Sequence, residues 1–194
     1  RLASEPFEAD DAAQHHLIDG GWVWMLRMNN SITSVGVTLS QCGERRGVRS
    51  DLAARQLRSR FVDFPLLNQV MREAECVAPP TGIVSVGRLQ RLFDPVIASN
   101  CWMLPTSAST VDPLHSTGIA HGLSGVARAA SILLSQPDRL GVPDRLAVQR
   151  YRESVLFEAE QLDRLVYTAY RAMRSFPRFH AACMLYFAAA IATE

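Results

Sequence analysis

The chain contains both of the periodicities that distinguish strands from helices. Between residues 22 and 28 the side chains alternate, and this alternation places Trp22 and Trp24 on one face. Residues 32–39 alternate in the same way. The Asn-Asn pair at 29–30 lies between the two runs, and asparagine tolerates the positive φ that a tight turn requires. The pattern therefore predicts an antiparallel hairpin.

Apolar residues recur at three- and four-residue steps in the longer segments, and this spacing predicts helices. The predicted helices cover 51–61, 66–74, a stretch that starts at 115–118 and runs to 134, 145–174, and a last segment from 175 onward. In the helix of 145–174 the charged residues, Glu158 among them, are predicted for the solvent face. The helix that ends at 134 has apolar or small residues on nearly all sides, so we expect other parts of the protein to pack against it on more than one side.

The remaining segments complete an α+β prediction. Residues 1–20 are polar and are predicted as loop, whereas 83–91 and 101–104 are strand candidates. The expected architecture is an antiparallel sheet of about four strands followed by a mainly helical C-terminal half. The predicted domains are a partial sheet-and-helix domain over 1–98, a strand-loop-helix segment over 99–136 and a helical segment over 137–194.

Composition narrows the class of protein. The 194 residues are 48% hydrophobic and 20% charged, with a formal net charge of +1, which argues against nucleic-acid partners and a membrane-attracted surface. All 20 basic residues are arginine. The four cysteines lie far apart, which predicts reduced thiols in a cytoplasmic protein. The apolar run at 181–192 is too short to cross a bilayer.

Two acids and two histidines near the N-terminus raise the question of a metal site. Asp10, Asp11, His15 and His16 contribute suitable ligand atoms, but no helical or strand spacing brings them together. Solvated loop residues are the preferred interpretation, and no metal is predicted.

The segment from 100 to 130 is the candidate for ligand binding. A short strand leads through small residues into a helix start at Gly118. Backbone N–H groups at such a helix start can face an anion or a polar ring edge, and glycine allows close approach of a flat ligand. An ordinary strand-loop-helix unit without a ligand is the alternative.

Two motifs resemble one protein family. Residues 112–119, Asp-Pro-Leu-His-Ser-Thr-Gly-Ile, resemble the second flavin-contacting motif of the flavin-dependent halogenase and monooxygenase family, which has the p-hydroxybenzoate hydroxylase fold. Residues 21–26, Gly-Trp-Val-Trp-Met-Leu, resemble the halogenase signature Gly-Trp-x-Trp-x-Ile-Pro. The Thr-Ser-Val-Gly-Val run at 33–37 follows the tryptophan signature at 21–26, as it does in the family.

This chain departs from the family pattern at three points. The Gly-Asp pair of the family aligns with Pro105-Thr106, so the carboxylate that holds the ribityl chain of the flavin is missing. Arg27 replaces the proline of the tryptophan signature. The family also has a catalytic lysine in its N-terminal part, and this chain has no lysine.

The resemblance implies the C-terminal part of a FAD-dependent oxidoreductase. Such an enzyme acts through a flavin hydroperoxide on an aromatic or other small-molecule substrate, by halogenation or hydroxylation, and can depend on a flavin reductase. The Gly-x-Gly-x-x-Gly fingerprint that seats the FAD pyrophosphate is absent from this chain, so an N-terminal FAD domain is expected elsewhere. The fold expected here is therefore a partial p-hydroxybenzoate hydroxylase-type fold without its dinucleotide-binding part.

The resemblance also implies a set of site residues. The residues implied to contact FAD are Thr106, Asp112, Pro113, Ser116, Thr117, Gly118 and Ile119. Trp22 and Trp24 are implied to lie near the passage between flavin and substrate. No catalytic residue is identified. A non-catalytic relative that has lost flavin binding is the alternative, and the gene sequence upstream of Arg1 would distinguish the two.

Overall fold

A computed structural model describes residues 8–40, 50–87, 89–98, 101–135 and 144–192. The chain forms two compact units, Arg1–Arg88 and Leu89–Glu194. The division into three parts at 98/99 and 136/137 stays a prediction.

The first unit is built on a three-stranded antiparallel sheet in the order β1–β2–β3, with β1 at Gln14–Ile18, β2 at Gly21–Arg27 and β3 at Thr33–Leu39. The predicted hairpin is confirmed, since Trp24 of β2 pairs with Gly36 of β3. The loop prediction for residues 1–20 is wrong at β1. This strand is polar, but its backbone pairs with β2 along its whole length, and only Ile18 is buried.

The turn between β2 and β3 is wider than the sequence indicates. The N–H of Met28 donates to the carbonyl of Ile32 at 2.9 Å, and the positive φ of 66° falls on Ser31 rather than on an asparagine. Asn30 contributes instead through its side chain, whose Oδ1 accepts a hydrogen bond from the N–H of Ile32 at 3.2 Å.

Two helices cover one face of this sheet. These are α1 at Ser50–Phe61 and α2 at Pro65–Met71. The buried core that they form with the sheet consists of Ile18, Val23, Met25, Phe61 and Leu67. Both helices are confirmed, although α2 ends three residues before the predicted boundary.

The second unit begins with short elements. They are β4 at Arg91–Leu92, β5 at Ile97–Ala98, β6 at Cys101–Trp102, α3 at Pro105–Ala108 and β7 at Ser109–Thr110. β4 pairs with β7, and β5 pairs with β6. The strand predicted over 83–91 is wrong, because residues 83–87 have no regular structure and Val84 and Val86 are exposed. The strand predicted over 101–104 is shortened, and the predicted loop after it contains α3.

Three long helices complete the second unit. They are α4 at Gly118–Leu134, α5 at Arg145–Ala172 and α6 at Phe176–Ala192. All three are confirmed. The core lies between α4, α5 and the short elements, and its buried members are Val96, Ala108, Ala129, Tyr151 and Val155.

The α+β class is confirmed, but the expected sheet of about four strands is wrong. Within the described ranges the strands form one three-stranded sheet and two ribbons of two strands each. The same ranges contain no helix that is long and apolar enough to cross a membrane.

Candidate functional site

Asp112 organises the segment that leads into α4. Its side chain is 2% exposed, and both carboxylate oxygens accept hydrogen bonds from the chain. Oδ1 accepts from the N–H of Leu114 at 3.0 Å, which closes a 3₁₀ turn over Pro113–His115. Oδ2 accepts from the hydroxyl of Tyr170 on α5 at 2.9 Å. Asp112 therefore fixes the turn and connects it to α5.

The residues between this turn and α4 form an open surface. Ser116 has a left-handed φ of 58°, and its N–H donates to the carbonyl of Pro113 at 2.9 Å. Thr117 is the N-cap of α4, but its side chain makes no capping hydrogen bond. A Cβ built on Gly118 meets nothing within 4 Å, and Ile119 is 78% exposed. The first-turn N–H groups therefore lie beside open space rather than under a cap.

Thr106 lies next to α4 on the short helix α3. A Cβ on Gly122 would lie 3.1 Å from the Thr106 methyl group, and one on Gly125 would lie 2.1 Å from Pro105. These two glycines therefore allow α3 to contact α4 closely. The structure thus brings Thr106 to the first two turns of α4, which begins at Gly118.

A partly buried polar network centred on His121 lies next to this surface, and the sequence reasoning missed it. His121 is 7% exposed; its Nδ1 lies 3.2 Å from Glu158 Oε2, and its Nε2 lies 3.4 Å from Ser109 Oγ. Arg128 makes an ion pair with the second carboxylate oxygen of Glu158. The prediction that Glu158 belongs to the solvent face of its helix holds only in part, because its side chain is 27% exposed but its carboxylate faces α4.

The sequence does contain a signal for this network. Glu158 is seven residues after Tyr151, so the two share one face of α5, and Tyr151 is buried. His121 is four and eight residues before Gly125 and Ala129, which are also buried. Both polar residues therefore lie on buried stripes of their helices.

The ionisation of His121 depends on this environment. Burial lowers its pKa below the ordinary value of 6.5, which the Glu158 carboxylate opposes by charge and hydrogen bonding. The guanidinium of Arg128 lowers the pKa further. Because the net pKa is below 6.5, His121 is mainly neutral at pH 7.

Side chains of α5 also form hydrogen bonds with the part of the chain that precedes α4. The hydroxyl of Tyr151 donates to the carbonyl of Met103 at 3.0 Å. Arg152 binds the Asp94 carboxylate with two hydrogen bonds, of 3.1 and 2.6 Å. With the bond from Tyr170 to Asp112, these contacts join the chain before α4 to one rigid helix.

Helix α6 contacts the turn before α4 through aromatic stacking. The ring of His115 stacks on Tyr186 with centroids 4.0 Å apart. Phe187 packs edge-on against His115 at 6.2 Å. Desolvation raises the pKa of the Tyr186 phenol, so it stays protonated at neutral pH.

Trp22 and Trp24 belong to the first unit and form a pair on β2. Their ring centroids are 5.7 Å apart, and the ring of His15 lies 4.9 Å from Trp22. Trp22 is 1% exposed, whereas Trp24 is half-buried and its Nε1 donates to Ser34 Oγ at 3.4 Å.

The histidines that raised the question of a metal site lie in β1, so they are strand residues rather than the predicted loop residues, although His15 is exposed and His16 partly exposed. Nε2 of His16 lies 3.2 Å from the side-chain oxygen of Gln14. Within the part of the chain that the structure describes, no three His, Cys, Asp or Glu residues are grouped as a metal site would require.

Comparison with known proteins gives consistent matches. The family model described as "Tryptophan halogenase" matches residues 9–183. Monodechloroaminopyrrolnitrin halogenase PrnC of Pseudomonas fluorescens is 26% identical over 175 residues, which are 86% of this chain and 30% of that protein. Tetracycline 7-halogenase of Kitasatospora aureofaciens is 26% identical over 123 residues, which are 60% of this chain and 21% of that protein. The chain therefore spans only a minor part of the length of these relatives.

Solved structures share the fold. The crystal structure of halogenase PltM has a TM-score of 0.78 at 19% identity, covering 94% of this chain and 36% of that one. The peptidyl tryptophan dihydroxylase QhpG has a TM-score of 0.55 at 20% identity, covering 94% of this chain and 46% of that one. At these identities the similarity shows the fold alone.

Proposed function

The chain belongs to the tryptophan halogenase family, and from this membership we propose that it is the C-terminal part of a FAD-dependent oxidoreductase with a partial p-hydroxybenzoate hydroxylase-type fold. The two curated relatives named above are halogenases, and the chain covers 30% of the length of PrnC. We propose an aromatic or other organic small molecule as substrate. The parts proposed to lie outside this chain are an N-terminal FAD domain and a flavin reductase partner.

One observation carries the proposal, namely the open first turn of α4. Ser116 and Gly118 are exposed, and the N-cap Thr117 makes no side-chain cap. The N–H donors of this turn coincide with the positive end of a helix of 17 residues. Negative charge at the edge of a reduced flavin ring fits these donors, and a halide ion fits them as well.

The residues of this chain have distinct proposed roles. FAD, when bound, would supply the oxygen chemistry that hydroxylates a substrate or oxidises a halide. Ser116, Thr117, Gly118 and Ile119 would contact the ring through backbone groups. Asp112 and Pro113 would hold the turn that aims these groups, since both Asp112 oxygens are bonded within the chain.

The fit to FAD is partial. Thr106 is exposed beside the start of α4, so its hydroxyl can reach a polar group of a ligand. It has no charge, so it cannot replace the carboxylate that the family uses for the ribityl chain. The 194 residues contain no dinucleotide fingerprint, so the pyrophosphate would bind outside this chain. The tryptophan pair is proposed to line the passage between flavin and substrate.

Gly118→Val in the full-length protein tests the proposal. A valine side chain enters space that is empty in this structure, and Gly118 has no positive φ, so the variant should fold normally. We expect FAD affinity or turnover to fall by about tenfold, or about 1.4 kcal/mol. Quenching of FAD fluorescence measures the affinity.

Gly122→Ala is the control, because its Cβ points at Thr106 rather than at open space. We expect it to lower FAD affinity by less than Gly118→Val does, because Thr106 has to move by only a few tenths of an ångström. If Gly118→Val binds FAD as the native protein does, the helix start is structural only. If the native full-length protein also binds no flavin, the non-catalytic alternative is correct.

A further inference from the structure

Ser109 and His121, which are buried, and Glu158, which is partly exposed, together link three elements. Ser109 follows α3, His121 is on α4 and Glu158 is on α5. The Ser109 hydroxyl lies 3.0 Å from the carbonyl of Pro105, the first residue of α3, and 3.4 Å from His121 Nε2. The N–H of Ser109 also donates to the Pro105 carbonyl.

The order Ser-His-Glu is that of a nucleophile, a base and an orienting acid, but the geometry excludes hydrolysis. Ser109 is 5% exposed, and its hydroxyl faces a backbone carbonyl and an imidazole. A substrate carbonyl has no access to this oxygen. The group must therefore act on the protein itself.

The hydrogen-bond partners of His121 determine which of its ring nitrogens carries the proton. The Glu158 carboxylate can only accept, so Nδ1 of His121 carries the proton that faces it. In the neutral ring Nε2 is then an acceptor. The one hydroxyl proton of Ser109 is donated to the Pro105 carbonyl at 3.0 Å, and Nε2 of His121, at 3.4 Å, is a second and longer acceptor of the same proton. His121 thus holds Ser109, while Glu158 fixes the tautomer of His121.

We propose that His121 is a positioning residue that fixes residues 105–109 against the start of α4. This inference rests on the function proposed above, because that segment contains Thr106 and contacts α4 at Gly122 and Gly125. His121 acts through Ser109, and Glu158 together with Arg128 orients the imidazole from the opposite side. Nothing in this role requires His121 to touch a ligand.

Two substitutions of His121 distinguish the contact of its Nδ1 with Glu158 from the contact of its Nε2 with Ser109. The side-chain amide of asparagine lies near the position of Nδ1. His121→Asn therefore keeps the hydrogen bond to Glu158 and loses the contact with the Ser109 hydroxyl. Glutamine reaches the Nε2 position, so His121→Gln keeps a partner for Ser109. In the full-length protein we expect backbone amide exchange of residues 107–109 to rise about tenfold in His121→Asn, as after loss of one buried hydrogen bond. His121→Gln should stay near native exchange.

Ser109→Ala removes the other partner of the same contact and keeps the test decisive if His121→Asn folds poorly. It also removes the hydrogen bond from the Ser109 hydroxyl to the Pro105 carbonyl, so it should raise exchange at least as much as His121→Asn does. The double variant should add little to Ser109→Ala, because Ser109→Ala already removes the contact with His121. Val166→Ala, on the same helix but away from this group, is the control for general destabilisation. Val166 is 2% exposed, so its truncation weakens the core without touching Ser109.

Flavin affinity gives the second measurement. We expect FAD to bind about tenfold more weakly to His121→Asn and Ser109→Ala, and normally to His121→Gln and Val166→Ala. Equal exchange in His121→Asn and His121→Gln would overturn the inference, as would full additivity with Ser109→Ala. If Gly118→Val leaves FAD binding intact, the proposed function fails, and the exchange measurement still decides whether His121 positions the segment.

Discussion

Trp24 and Gly36 show how a single residue position depends on its partner across the sheet. They face each other on β2 and β3. A Cβ on Gly36 would lie 1.9 Å from Cζ2 of the Trp24 indole, far closer than atoms can approach. The glycine therefore makes room for the ring, and the proposed role of Trp24 in the substrate passage depends on it.

Gly36→Ala should displace this indole and break its 3.4 Å hydrogen bond to Ser34. We expect the free energy of unfolding to fall by about 1–3 kcal/mol, as for other overpacked sites. Urea unfolding measures the loss. In a Trp24→Phe background the smaller ring should make the same substitution less costly; an equal cost in both backgrounds would show that Trp24 is not the obstacle.

At the scale of elements, α4 is positioned by what contacts it on each side. Its glycines let α3 approach closely, and a Cβ on Gly125 would lie 2.1 Å from the ring of Pro105. Its buried His121 bonds to α5. The turn before it is connected to α5 by Asp112 and Tyr170. The exposed first turn of α4 thus belongs to a helix that is held in place by contacts with both α3 and α5.

Gly125→Ala should therefore destabilise the fold although alanine is the better helix former. The gain of about 1 kcal/mol in helix propensity is smaller than the cost of moving α3, because Pro105 is rigid. We expect a net loss in urea unfolding, whereas Gly122→Ala, whose Cβ meets only the side chain of Thr106, at 3.1 Å from its methyl group, should be near neutral. A neutral Gly125→Ala would mean that α3 does not depend on this contact.

At the scale of the whole molecule, the exposed face of α4 is apolar, as expected if another part of the protein packs against it. The apolar residues of this helix that are exposed by more than half are Ile119, Leu123, Leu133 and Leu134. The chain covers 36% of the halogenase PltM in the structural match. We therefore expect the N-terminal part proposed above to cover this face.

The 194-residue chain alone should accordingly self-associate. We expect a mass above that of the monomer in sedimentation velocity at micromolar concentration, because exposed leucine and isoleucine side chains favour association. Replacing Ile119 and Leu123 with serine should shift the chain toward the monomer. A native chain that sediments as a single monomer would argue that this face needs no cover.

The sequence by itself determined the elements whose signal is local. The helices of residues 50–61 and 145–172 follow from apolar spacing, and the hairpin follows from alternation around a polar turn. The candidate site over 112–119 came from its resemblance to a short family motif, which can be recognised without knowledge of the tertiary structure.

Only the tertiary structure decided the features that depend on distant partners. β1 is polar and becomes a strand because β2 pairs with it, whereas residues 83–87 are apolar but find no partner strand. His121 and Glu158 are 37 positions apart, and their contact exists because α4 and α5 pack together. Periodicity places a residue on a face of its helix, but the neighbouring element determines whether that face is core, solvent or a buried polar contact.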